Sequence, residues 1–160
     1  MAVVLAVEQP SFDPDQASRF LLTAERTGLE VILLLTKTDL LSAAALERLV
    51  TRLQGWGYDP LALSSAAGMG IDALQQRLAG AQLSVLCGPS GVGKSSLLNQ
   101  LCPDLQLRTA AVSGRLQRGR HTTRHVELFP LGPNARVADT PGFNRPDLPE
   151  DPQELGILFP

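Results

Sequence analysis

Cysteine, lysine and aromatic residues are all scarce in this sequence, and it has no long apolar run. Only Cys87 and Cys102 carry thiols among 160 residues. No pair of CxxC units and no Cys/His series with metal spacing is present, so no zinc site is expected in this chain. The two thiols read as small buried apolar side chains of a reducing compartment. No stretch approaches the ~20 consecutive apolar residues of a membrane span, and no charged segment leads into an apolar run and a cleavage site. The chain therefore reads as cytoplasmic, with no membrane partner. A formal net charge of −2 excludes a molecule that is basic all over, so any nucleic-acid contact has to come from a local patch. With 44% hydrophobic and 19% charged residues, the composition is that of a folded chain, expected to be monomeric.

The scarcity of lysine is informative. Twelve arginines accompany only two lysines, Lys37 and Lys94. Both fall inside motifs that suit nucleotide chemistry, where a compact ammonium on a flexible stem does what a planar guanidinium does not.

The apolar run Ala2–Val7 reads as a buried strand. Helical spacing follows over Asp15–Thr27, stopped by Gly28, then a second buried strand over Leu29–Leu35. Ser42 can cap a helix running to Gln54. Tyr58–Leu63 reads as a strand, Ile71–Leu78 as a helix, Leu83–Cys87 as a strand and Lys94–Leu101 as a helix. Short strands are expected at Val126–Phe129 and Arg136–Ala138, with a patternless loop over 105–122. This alternation predicts an α/β fold, a mostly parallel sheet with helices on both faces. Ligands in such sheets bind at the carboxyl ends of the strands.

Gly88-Pro89-Ser90-Gly91-Val92-Gly93-Lys94-Ser95 matches GxxxxGK[ST] in full, between a strand and a helix. Its glycines let backbone N–H groups face an anion, Lys94 would reach the β- and γ-phosphates, and the Ser95 hydroxyl would coordinate Mg²⁺. Ser96 reads as an ordinary helix residue. Thr36-Lys37-Thr38-Asp39 follows a strand directly. The Asp39 carboxylate can accept from guanine N1 and N2, a pairing adenine cannot offer. Lys37 would lay its stem along the base and tie this loop to the phosphate loop. Ser64-Ser65-Ala66 would place the backbone of Ser65 and Ala66 at guanine O6, although a plain loop is the alternative. Asp139-Thr140-Pro141-Gly142 offers a carboxylate for Mg²⁺ and, at Gly142, an N–H that would sense the γ-phosphate. Phe143 stands where many GTPases place the glutamine that orients water. Arg108, Arg115, Arg118, Arg120 and Arg124, with His121 and His125, form a stretch without acids. That stretch either contacts an RNA backbone or is a solvated loop. Thr122 or Thr123 could complete the Mg²⁺ shell, and His121 is a candidate for positioning water.

The order of these motifs is unusual: the base-reading tetrapeptide precedes the phosphate loop. TKTDL, the Ser/Ala loop, GPSGVGKSSLLN, GRHTT and DTPGF, in that order, resemble the circularly permuted, small-ribosomal-subunit-dependent GTPases of bacteria. The resemblance spans roughly residues 2–145 and makes 1–145 a circularly permuted GTPase domain, with 146–160 a C-terminal extension. It implies bound GTP or GDP with Mg²⁺, hydrolysis stimulated by the small ribosomal subunit, a role late in that subunit's maturation, and switch loops on its rRNA. Three departures accompany it. Thr36 replaces the common Asn, Arg124 stands where a third Thr is frequent, and neither the family's N-terminal oligonucleotide-binding barrel nor its C-terminal zinc domain is found in these 160 residues. A guanine-nucleotide-binding module with little catalysis is the second expectation. An ATP-using P-loop enzyme is the third, opposed by Asp39.

Overall fold

A computed structural model describes residues 1–103, 127–140 and 146. Among these residues, six strands form one sheet: β1 (Ala2–Ala6), β2 (Ile32–Thr36), β3 (Leu61–Ala62), β4 (Leu83–Cys87), β5 (Glu127–Pro130) and β6 (Arg136–Asp139). Their order is β3-β2-β1-β4-β6-β5, and every pairing is parallel except β5 with β6. The helices among the described residues are α1 (Pro14–Glu25), α2 (Ala43–Gln54), α3 (Ile71–Ala79) and α4 (Lys94–Leu101), with a short 3₁₀ turn at Thr38–Leu40.

All five residues of β1 are buried, as a central parallel strand requires. Alternate side chains divide between two cores. Ala2, Val4 and Ala6 join Leu74 and Leu78 of α3 and Leu97, Leu98 and Leu101 of α4. Val3, Leu5 and Val7 join Ala17, Phe20, Leu21 and Ala24 of α1 and Leu53 of α2. Helices therefore cover both faces, in agreement with the pattern read from the sequence.

Element boundaries move for identifiable reasons. α1 begins at Pro14 because the Asp13 carboxylate accepts from the N–H groups of Asp15 and Gln16, and proline suits a first helical position. β2 begins three residues later than expected, since Gly28 turns the chain at φ +65° and Leu29 stays exposed. The strand expected over Tyr58–Leu63 shrinks to Leu61–Ala62. Pro60 has no N–H for the ladder, and Tyr58 turns toward α1, donating to the Glu25 carboxylate at 3.0 Å.

The register sets up the site. β1 pairs with β4 at Ala2↔Leu86 and Val3↔Cys87, so Val4, Leu5 and Ala6 continue beyond the end of β4. The chain leaving β4 lies against that extension. A Cβ on Gly88 would sit 2.1 Å from the Val4 carbonyl oxygen, an approach that only glycine permits. Gly88→Ala should therefore lower the unfolding free energy by about 2–3 kcal/mol in urea titrations, the scale of a forced backbone shift. An unchanged midpoint would show that the loop is not seated on β1.

Candidate functional site

Because β1, β2, β3, β4 and β6 run parallel, their carboxyl ends share one edge. Thr36, Ser64, Gly88 and Asp139 are thereby brought together from distant parts of the sequence. Thr36 ends β2 and is 2% exposed. Its hydroxyl donates to the Val92 carbonyl at 2.6 Å, with the Leu5 carbonyl 3.2 Å away. One proton faces two acceptors, and the shorter contact takes it. Lys37 follows at φ +59° and sends Nζ to the carbonyl oxygens of Gly91, at 2.8 Å, and Gln9. Burial lowers the Lys37 pKa, and the Asp39 carboxylate opposes that shift. Asp39 is exposed, and its Oδ1 accepts from the Ser64 hydroxyl at 2.5 Å.

These residues border a cleft of about 250 Å³. Thr36, Lys37, Asp39 and Leu40 form one wall, Ser65 and Ala66 a second, and Gly93 with Ser96 a third. Two of the expected residues stand back from this cleft. Thr38 does not line this cleft: it is 3% exposed, and its hydroxyl donates to the Leu63 carbonyl at 2.9 Å. Ser64 is fully buried and reaches the cleft only through Asp39. Leu40 and Ser96 were missed by sequence reasoning, which took Ser96 for an ordinary helix residue. The available signal was its absence from the apolar stripe Leu97, Leu98 and Leu101 that faces the core.

The glycine-rich loop joins this cleft to a second polar region. Gly88, Gly91 and Gly93 all have positive φ. Pro89 and Val92 are buried, whereas Ser90 and Gly91 are exposed. Lys94 is 8% exposed and donates from Nζ to the carbonyl oxygens of Gly88 at 2.9 Å and Pro89 at 2.8 Å. Its ammonium thus closes the loop on itself. Burial lowers the Lys94 pKa, and Asp139 and then Cys87 oppose the change. No side chain caps α4 at Gly93, so the first N–H groups of the helix have no side-chain acceptor there. Ser95 is half-buried in the first turn.

Asp139 ends β6. Its Oδ1 is buried and has no hydrogen-bond partner among the described residues. Burial raises its pKa, against the attraction of Lys94, while Glu127 across the β5–β6 pair adds to the rise. The neighbouring Thr140 hydroxyl donates to the Leu86 carbonyl at 2.8 Å and holds the exit of β6 against β4. The orphaned Asp139 oxygen and the Ser95 hydroxyl are both oxygen donors, the kind that Mg²⁺ prefers. His121, Thr122, Thr123, Gly142, Phe143 and the arginines from Arg108 to Arg124 lie outside the described residues.

Cys87 immediately precedes the loop. Burial pushes its thiol up to about 11, with Lys94 pulling downward. Only the thiolate is nucleophilic. Alkylation of Cys87 by iodoacetamide, followed by peptide mass spectrometry, should therefore be slow at pH 8 and accelerate only as pH approaches 11. Rapid modification at pH 7 would contradict the buried, protonated thiol.

A family model described as RsgA GTPase matches residues 1–149. The whole chain is 96% identical to the small ribosomal subunit biogenesis GTPase RsgA of Synechococcus sp. (strain CC9605) and covers 53% of that protein. It is 72% identical to the protein of the same name from Synechococcus sp. (strain CC9311), again covering 53%. The chain thus spans about half the length of the curated relatives it matches. YjeQ from Thermotoga maritima aligns with a TM-score of 0.77 at 32% identity, over 99% of this chain and 53% of that one. YloQ, described as a circularly permuted GTPase, aligns with a TM-score of 0.66 at 32% identity, over 99% of this chain and 50% of that one. With its motif order, its sheet and these relatives in agreement, the chain belongs to the RsgA GTPase family.

Proposed function

We propose that this chain is the guanine-nucleotide-binding and hydrolysing portion, residues 1–145, of a cytoplasmic GTPase that acts in maturation of the small ribosomal subunit. The observation that carries this reading is the cleft shared by Asp39, Ser65–Ala66 and the end of the glycine-rich loop. The cleft is base-sized, and a carboxylate stands at its rim. From it the loop leads past Lys94 to the orphaned oxygen of Asp139.

In this reading Asp39 accepts from guanine N1 and N2, and the Lys37 stem lies along the ring. The backbone of Ser65 and Ala66 meets O6, and leaving the Asp39 acceptor unpaired rejects adenine. The N–H groups of Gly88–Ser95 surround the phosphates, with Lys94 re-aimed from loop carbonyls to the β- and γ-oxygens. Ser95 and Asp139 would hold Mg²⁺, which would supply charge neutralisation at the phosphate oxygens. Water attacks the γ-phosphorus in line, the bond to the β–γ bridging oxygen breaks, and GDP and inorganic phosphate leave. His121 is assigned to positioning that water, Thr122 or Thr123 to the metal shell and the Gly142 N–H to the γ-phosphate. The Arg108–Arg124 stretch is assigned to the rRNA of the small subunit. A binding module with little catalysis is the second reading, supported by Phe143 at the position of the usual water-orienting glutamine.

Phosphate release from GTP, measured with and without small ribosomal subunits, separates the two readings. Slow turnover that rises at least tenfold with subunits is expected, a barrier reduction of about 1.4 kcal/mol or more. Tight GDP binding with no release under either condition would favour the binding module.

A further inference from the structure

Asp39 is exposed at the cleft rim, so burial does not fix its carboxylate. The loop opposite leaves β3, a two-residue strand at the edge of the sheet. The loops carrying Asp39 and Ser65 both line the cleft. The contact between them is reciprocal. Thr38 gives both of its donors to one acceptor: its N–H and its hydroxyl meet the Leu63 carbonyl at 3.2 and 2.9 Å. In the opposite direction, the Ser64 hydroxyl donates to Asp39 Oδ1 and accepts from the Ala67 N–H at 3.1 Å. Adjacent residues of one loop, 38 and 39, are thus tied to adjacent residues of the other, 63 and 64. The anchor at the far end is firm, because Leu63 is fully buried and its N–H donates to the Leu35 carbonyl at 2.7 Å.

From this geometry we propose that Thr38 is a positioning residue for base selection: its hydroxyl, locked to the Leu63 carbonyl, sets the Asp39 carboxylate and the Ser65–Ala66 backbone at the spacing that guanine requires. The assignment rests on the guanine reading given above. Thr38 touches no nucleotide in this account. Loss of its hydroxyl leaves the buried Leu63 carbonyl with one donor instead of two and frees the loops to slide. The cost falls on ligands that need both loops and not on ligands that need only the phosphate loop.

The test is calorimetric titration of the protein and two variants, Thr38→Val and Thr38→Ser, with GDP, ADP and tripolyphosphate. Valine keeps the β-branched shape and removes the O–H, whereas serine keeps the O–H and removes the methyl. Thr38→Val is expected to bind GDP about tenfold more weakly, the scale of one hydrogen bond to a buried carbonyl. Tripolyphosphate should bind it unchanged, and Thr38→Ser should bind GDP within about twofold of the parent. An unchanged GDP affinity in Thr38→Val, or an equal loss for GDP and tripolyphosphate, overturns the proposal. If Thr38→Val does not fold, a tenfold loss in Thr38→Ser overturns it equally, since the donor is still there. A parent protein that binds GDP no more tightly than ADP overturns the guanine reading itself and the proposal with it.

Discussion

The site depends on the approach of the glycine-rich loop to the backbone of β1. β1 runs three residues beyond its partner β4, and Gly88 crosses it so closely that a Cβ would lie 2.1 Å from the Val4 carbonyl oxygen. That seating brings the carbonyl oxygens of Gly91 and Val92 within reach of β2's exit. Thr36 and Lys37 then close the gap with bonds of 2.6 and 2.8 Å. A side chain at position 88 would push the loop away from the sheet and from the exit of β2. The three overhanging residues of β1 thus act as the common floor beneath both motifs.

The two lysines sit where this arrangement needs several donors in a small space. Lys37 meets the carbonyl oxygens of Gln9 and Gly91, and Lys94 those of Gly88 and Pro89. Lys37 joins two separate stretches of backbone and Lys94 two successive carbonyls of one loop, geometries that a rigid planar guanidinium matches poorly. Burial of Lys94 beside Asp139 presses on both charges, lowering the pKa of the one and raising that of the other, while their mutual attraction opposes both shifts. A phosphate and a divalent cation would relieve that pressure from both sides. This gives the electrostatic reason to place a nucleotide here.

Much of this was legible in the sequence. The fold class followed from alternating apolar periods, and both motifs announced themselves by residue type and spacing. Their reversed order points to a permuted GTPase core. What was not legible had physical causes. Pro60 and Tyr58 cut β3 short through a missing donor and a side-chain contact with α1, neither of which alters the local apolar pattern. Thr38 and Ser64 look like ligand contacts because they lie in ligand-binding motifs, yet their hydroxyls are turned onto Leu63 and Asp39. Ser96 looked ordinary because its place off the apolar stripe of α4 does not say whether it faces the cleft or solvent. Spacing along a chain reports which residues share a loop, and only the fold decides which way each of them faces.

The central claim is that three loops far apart in sequence act as one guanine-nucleotide site. Amide hydrogen exchange with and without nucleotide tests it most directly. GDP should slow exchange at once in residues 36–40, 64–67 and 88–95, whereas ADP at the same concentration should leave 36–40 and 64–67 unprotected. Protection by GDP confined to 88–95, or equal protection of all three segments by ADP, would contradict the account.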